Sequence, residues 1–306
     1  MKGKVVRSTG SWYEILTDNG KIINARLRGK FRQQDLKVTN PVAVGDLVNI
    51  KPEEKNEKAF IIDEIEERDN YIIRKSPKKE AHAHIIASNI DQAFIIVTLV
   101  SPRTSSGFID RFLVSCEAYH ITPSIIFNKQ DILTTKEQRK QDQWIEIYEN
   151  LGYQCIKTTF TGDDPSLLMK NLEAKTTLLS GHSGVGKSTL LNKLNKDINQ
   201  KTSEISGFAN KGVHTTTFAE MFILNNNTFV IDTPGIKELG LYDMEPSEIS
   251  LYFPEMRTIR EDCRFYNCLH INEPGCRVKE AATKGDISPM RYKNYRSMIE
   301  NTDNRR

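Results

Sequence analysis

Gly181 to Ser188 read Gly-His-Ser-Gly-Val-Gly-Lys-Ser. A glycine, four residues and then Gly-Lys-Ser is the pattern of a phosphate-cradling loop. Backbone amides from Gly181 through His182, Ser183, Gly184, Val185 and Gly186 to Thr189 are expected to face phosphates, helped by the positive end of the helix that follows. In that pattern Lys187 reaches the β- and γ-phosphates and the Ser188 hydroxyl ligates Mg²⁺. His182 stands at a variable position and reads as a spacer.

Asp232 to Gly235 read Asp-Thr-Pro-Gly, 44 residues after Ser188. Alone this is a common turn. Behind a phosphate loop it is expected to sense the metal and the γ-phosphate, with Asp232 holding Mg²⁺ through water and the Gly235 amide meeting the γ-phosphate. Asn128 to Asp131 read Asn-Lys-Gln-Asp. A carboxylate such as Asp131 accepts two hydrogen bonds from N1 and N2 of guanine. Adenine lacks that donor pair, and a buried carboxylate left unpaired rejects it by orders of magnitude. Lys129 is placed to lay its aliphatic stem along the base, and Asn128 to tie this loop to the phosphate loop. Together the three segments predict binding of GTP/GDP with Mg²⁺ and hydrolysis of GTP. The same residues allow two rivals: an RNA-binding scaffold stabilised by nucleotide, with incidental hydrolysis, and an ATP-using enzyme, which Asp131 disfavours.

Between the phosphate loop and Asp232, Gly212 to Thr217 read Gly-Val-His-Thr-Thr-Thr, suited to a switch loop. Thr216 is the favoured threonine to complete the Mg²⁺ shell. The residue after Gly235 is Ile236, which cannot orient a water as a glutamine would, so His214 or a residue from a partner is the candidate for that catalytic role. Further on, Cys263, Cys268, His270 and Cys276 offer three thiolates and an imidazole within 14 residues. That is a complete tetrahedral set for one structural Zn²⁺, with no position left open for catalysis. Cys116 and Cys155 sit among apolar neighbours and read as core residues. His82, His84 and His120 have no ligand company and read as surface or loop histidines.

These loops need elements to hold them. Strands expected at Ala93 to Val100, Ser124 to Phe127, Thr177 to Ser180 and Thr228 to Ile231, with an amphipathic helix near Phe108 to Tyr119, describe a parallel sheet covered on both faces. The last three strands each end at one of the loops above, where open parallel sheets bind ligands. Asn-Lys-Gln-Asp precedes the phosphate loop, its Asp131 lying 50 residues before Gly181. The usual order is the reverse, so the domain reads as circularly permuted, which is tolerable because domain termini commonly lie close together. Ahead of it, five short β-rich runs (Lys4 to Arg7, Trp12 to Thr17, Ile22 to Leu27, Leu47 to Ile50 and Phe60 to Ile65) suggest a barrel of the OB or SH3-like kind. A polar stretch from Lys75 to His84 follows, read as a separator.

The net charge of +3 is too small to name a partner, but the first 51 residues hold ten basic and four acidic side chains. Lys2, Lys4, Arg7, Lys21, Arg26, Arg28, Lys30 and Arg32, with Trp12, Tyr13 and Phe31, fit an RNA-binding barrel face as well as a merely solvated one. Arg291, Lys293 and Arg296 offer a second phosphate contact. Met1, Lys2, Gly3 and Lys4 are followed by no apolar leader, no run is long enough to span a bilayer, and the cysteine pattern suits a reducing compartment. A cytoplasmic protein without a membrane partner is expected.

A barrel, then NKQD, GHSGVGKS, GVHTTT and DTPG in permuted order, then the stretch from Asp262 to Ala281, resembles one bacterial family: the circularly permuted GTPases that depend on the small ribosomal subunit. The resemblance covers essentially the whole chain. It implies an OB-fold over residues 1–68, a permuted P-loop GTPase domain over 69–240 and a zinc domain with short helices over 241–306. It also implies a monomer whose partners are the small ribosomal subunit and its rRNA, whose hydrolysis that subunit stimulates, and which acts late in its maturation. One departure is the fifth nucleotide loop, which reads Thr158, Thr159, Phe160 rather than Ser-Ala.

Overall fold

Alternating apolar and polar residues in the first third of the chain produce short strands whose inner faces close on one another. In the computed structural model, which describes residues 1–27, 40–53, 56–75, 83–162, 166–194, 219–225, 227–233 and 244–300, these are β1 (Lys2–Ser8), β2 (Tyr13–Thr17), β3 (Ile22–Leu27), β4 (Leu47–Glu53) and β5 (Asn56–Ile65). They pair in the order β1-β2-β3-β5-β4, and β4 returns to β1. The parallel β3–β5 pairing and that closure make it an OB-type barrel. Val5, Ile15, Ala25, Val48, Ile50 and Ile62 fill it.

The stretch read as a separator instead begins and ends in an antiparallel hairpin, β6 (Tyr71–Lys75) and β7 (Ala83–Ser88). The charged residues between the two strands masked them. His84 therefore lies on a strand; His120 is exposed in the turn after a helix, and His82 lies outside the described residues.

The second half of the molecule is built on β8 (Gln92–Val97), α1 (Ser106–Ala118), β9 (Thr122–Phe127), α2 (Thr135–Glu149), β10 (Gln154–Lys157), α3 (Ser166–Leu172), β11 (Thr176–Ser180), α4 (Lys187–Leu194), β12 (Glu220–Asn225) and β13 (Thr228–Asp232). Strands β10-β9-β8-β11-β13 run parallel in that order, and β12 adds an antiparallel edge. Edge strand β10 and strand β12 escaped the apolar-run reading because each is only half-buried. Cys155 on β10 is accordingly half-buried too, whereas Cys116 is fully buried.

Period-2 alternation sends residues of each central strand to opposite faces. Ala93, Ile95, Val97, Ile125, Phe127, Leu178 and Ile231 pack with α1 and α2. Phe94, Ile96, Ile126, Leu179 and Val230 pack with α3 and α4. Full burial of a Leu, Ile or Phe is worth about 1.5–3 kcal/mol, so both faces hold the strand ends, and the loops on them, in fixed register. The barrel continues from this sheet through one pairing, Arg7 with Glu220.

The C-terminal part contains no strand among its described residues. Short helices α5 (Pro254–Arg257), α6 (Arg277–Lys284) and α7 (Pro289–Ile299) enclose a small core of Ile249, Phe253, Met256, Cys268, Cys276, Val278, Tyr295 and Met298, which also takes in Val114 of α1. No described helix is long and apolar enough to cross a membrane.

Candidate functional site

β11 ends at Ser180, and the chain turns through Gly181 to Gly186 before α4 starts at Lys187. Two glycines make the turn possible. Gly181 has φ +142°, and a Cβ there would lie 2.5 Å from the Ile96 carbonyl oxygen. Gly186 has φ +112°, and a Cβ there would meet Asn128 Nδ2 at 2.5 Å and the Phe160 ring at 3.0 Å. Only glycine lets this backbone approach its neighbours so closely. Ser183 and Gly184 are exposed, His182, Lys187, Ser188 and Thr189 half-buried, and Val185 buried.

Asn128 follows β9 directly and is buried. Its Nδ2 donates to the Val185 carbonyl at 2.7 Å and its Oδ1 accepts from the Phe160 amide at 3.0 Å. The guanine-type loop, the phosphate-type loop and the Thr158–Phe160 segment thus share one side chain. Lys129 adopts a left-handed conformation, φ 66°, and its ammonium donates to the Ser101 carbonyl. Asp131 is exposed on a single 3₁₀ turn, Gln130–Ile132.

On the other side of the phosphate loop, Asp232 ends β13, in register with Leu179 of β11. Burial pushes its carboxyl up, Lys187 draws it back down, and its Oδ1 has no hydrogen-bond partner among the described residues. Burial likewise lowers Lys187, opposed by the charge of Asp232. The Lys187 ammonium turns back onto the carbonyls of Gly181 and His182, at 2.6 and 3.1 Å. A half-buried lysine and a half-buried carboxylate flank a loop of backbone amides, an arrangement suited to a metal–polyphosphate. Gly235, His214 and Thr216 lie outside the described residues.

The loop after β8 went unrecognised from sequence. Ser101 receives Lys129, Pro102 comes within 3.5 Å of where a Cβ of Gly184 would stand, and Phe108 stacks on His182 with ring centres 4.0 Å apart. Its signal was available: a Ser-Pro turn pair, Ser101 and Pro102, just past the carboxyl end of a parallel strand.

Cys263, Cys268, His270 and Cys276 converge, their ligand atoms all within 4.8 Å of one another. Zinc–sulfur and zinc–nitrogen bonds of about 2.3 and 2.05 Å at tetrahedral angles imply edges of about 3.8 Å between sulfurs and about 3.6 Å between nitrogen and sulfur. Cys263 and Cys276 are 3.9 Å apart, and His270 Nδ1 lies 3.6 and 3.4 Å from their sulfurs. The set fits Zn²⁺ and directs Nδ1 toward it. Burial, then the nearby Arg260, holds His270 down at about 4, which keeps its imidazole neutral as a ligand must be.

The barrel's cations are less available than the sequence suggested. Lys2 pairs with Glu66 at 2.7 Å, Arg26 with Glu53 at 2.6 Å, and Arg7 approaches Glu14 and Glu220. Lys4 lies over the Phe229 ring. Tyr13 points into the barrel core and is unavailable for stacking, whereas Trp12 is exposed beside Arg26. Arg28, Lys30, Phe31 and Arg32 lie outside the described residues. Arg291 is fully buried, held by Asp110 at 2.6 Å and Glu255 at 2.7 Å, so it cannot meet a phosphate. A near-terminal arginine on an otherwise polar helix gave no hint of that.

Comparison with known proteins agrees with this geometry. Profiles described as RsgA N-terminal domain and RsgA GTPase match residues 2–61 and 65–242. A small ribosomal subunit biogenesis GTPase RsgA from Cytophaga hutchinsonii is 51% identical over the full length of both chains. A second, RsgA 2 from Bacteroides thetaiotaomicron, is 47% identical over 99% of this chain and 97% of its own. The crystal structure of YjeQ from Thermotoga maritima superposes with TM-score 0.78 at 33% identity, covering 100% of this chain and 99% of that one. That of YloQ, described as a circularly permuted GTPase, gives 0.72 at 30% identity, covering 100% and 96%. The chain belongs to the RsgA GTPase family and is a GTP hydrolase with a permuted P-loop domain between an OB-type barrel and a Cys₃His unit.

Proposed function

We propose that the chain hydrolyses GTP as a step in maturation of the small ribosomal subunit, and that the subunit stimulates the reaction. Relatives at 47% and 51% identity are named small ribosomal subunit biogenesis GTPases, which supports the first part of this reading. The observation that supports the site most is the Asn128 bridge between the two loops at opposite ends of a purine triphosphate. Asp131 and Lys129 read the guanine, residues Gly181 to Thr189 cradle the phosphates, and Lys187 neutralises the β- and γ-phosphates. Ser188 and Asp232, whose buried Oδ1 has no partner among the described residues, would hold Mg²⁺, which would offset phosphate charge. Thr216 completes the shell, Gly235 contacts the γ-phosphate and His214 orients the attacking water.

Zn²⁺ at Cys263, Cys268, His270 and Cys276 supplies structural cross-linking to the C-terminal unit. That unit presents Tyr266, 97% exposed, next to Phe265 under the Arg264 guanidinium. An exposed aromatic beside a cation suits stacking on unpaired RNA bases. In this reading the zinc unit and Trp12 with the barrel's cations hold rRNA, and the protein works as a cytoplasmic monomer.

The test is GTP turnover with and without purified small subunits. Stimulation of about 10³-fold, as partners give other GTPases, supports the proposal. Turnover unchanged by saturating subunits would instead favour a nucleotide-stabilised RNA scaffold.

A further inference from the structure

Helix α1 carries two faces with different duties. Phe112, Leu113 and Cys116 pack on the central sheet. Asp110, Val114 and Glu117, spaced i, i+4 and i+7 along one stripe, all face the C-terminal unit. Val114 enters that unit's core, and Glu117 accepts from Arg257 at 2.7 Å.

Asp110 is the centre of the contact. It is fully buried and accepts from Arg291 Nη1 at 2.6 Å, Tyr148 Oη at 2.9 Å and Asn294 Nδ2 at 2.6 Å. Arg291, equally buried, donates from Nε and Nη2 to the two oxygens of Glu255 and lies over the Phe253 ring at 4.5 Å. A guanidinium gripped in a planar fork tolerates little displacement, because any slip leaves a buried charge unpaired.

The N-terminal end of α1, beside Asp110, meets the phosphate loop. Ser105 caps the helix through the Phe108 amide at 3.2 Å, and two residues before Asp110 the Phe108 ring stacks on His182. We propose that Asp110 is a positioning residue for GTP hydrolysis: through α1 and the Phe108–His182 stack it couples the placement of the C-terminal unit to the shape of the phosphate loop. A partner that displaces that unit then changes nucleotide affinity, and by reciprocity bound nucleotide changes the placement of the C-terminal helices.

The inference rests on the phosphate loop being the nucleotide site. Lys187→Ala tests that separately, since undiminished nucleotide affinity there would remove the premise, whatever α1 does.

The coupling itself is tested with Phe108→Leu, Asp110→Asn and the double variant. Each is first checked for native circular dichroism and one bound zinc. Dissociation of a fluorescent GDP analogue is expected to change by about 5-fold or more in each single variant, with the double no worse than the stronger single. Binding of GDP is expected to slow amide exchange in α7 of the wild type and to leave it unaltered in Phe108→Leu. GDP release within about 2-fold of wild type in both single variants, or effects that multiply as independent ones do, would overturn the proposal. So would α7 exchange that responds to GDP equally in Phe108→Leu. Should Asp110→Asn fail to fold, Arg291→Lys, which keeps the charge and loses the fork, carries the same expectation.

Discussion

Asn128 Nδ2 donates to the Val185 carbonyl at 2.7 Å, joining residues 57 positions apart in the chain. The same side chain accepts from the Phe160 amide at 3.0 Å. In a permuted domain the base-reading loop precedes the phosphate loop in the chain. Their relative placement rests on the sheet and on this one buried amide. Asn128→Ala leaves a buried carbonyl and a buried N–H unpaired, at about 1–3 kcal/mol each. The melting temperature is expected to fall. GDP affinity, read by titration calorimetry, is expected to drop by about 10-fold or more, since 1.4 kcal/mol is tenfold. Wild-type affinity in a folded variant would remove the bridge from the binding account.

Gly186 is the counterpart of that bridge on the backbone side. A methyl group there would press on Asn128 Nδ2 at 2.5 Å, and the residue has φ +112°. Gly186→Ala is expected to be worse than Asn128→Ala, because strain and collision add to the lost hydrogen bond. Nucleotide binding should disappear while the barrel remains folded. Nucleotide affinity like that of wild type, measured by equilibrium dialysis, would show that the loop relaxes without it.

Asp131 is exposed on its turn, where the proposed site puts the edge of a guanine. Asp131→Asn replaces an acceptor pair by a donor and an acceptor. The expected outcome is loss of preference for GTP by about 10²-fold or more and a gain for xanthosine triphosphate, whose ring carries a carbonyl where guanine carries its amine. Competition between the two nucleotides checks it; an unchanged preference would move the base elsewhere.

How much of this was legible in the sequence depends on how local the information is. The strand ends at Phe127, Ser180 and Asp232 were legible because each apolar run stops at a loop with its own chemistry. The barrel was legible from alternation, though not its closure, which depends on β3 meeting β5 and β1 meeting β4 across tens of residues. Cys263 to Cys276 announced their cluster because ligands of that type have few other reasons to gather. Arg291 was misread for the opposite reason. Its partner Asp110 lies 181 residues away, and nothing in the residues near either one records the other. Phe108 and His182 were each visible, but their stacking is a product of the tertiary fold alone.

The C-terminal core is small and includes Cys268 and Cys276 among its buried residues. A unit with so small a core would draw on a metal bound at Cys263, Cys268, His270 and Cys276 for its folding, as zinc-dependent modules do. Cys276→Ser, or treatment of the wild type with a chelator, is expected to release one zinc per chain and unfold residues 244–300 ahead of the rest. Calorimetry should then resolve two transitions where the intact protein shows one. A single unaltered transition after zinc removal would assign the cluster no structural part.

Lys187 supplies a test that needs no substitution. Burial lowers its ammonium pKa below the ordinary lysine range, with Asp232 opposing; bound phosphates would raise it again. A group whose pKa is low in the free protein and higher in the complex must take up a proton on binding at any pH between the two. Affinity for GDP therefore falls as pH rises through the depressed value. Binding heats measured in buffers of different ionisation enthalpy should show net proton uptake over that window. If uptake is absent throughout while binding persists, the Lys187 ammonium does not meet the phosphates.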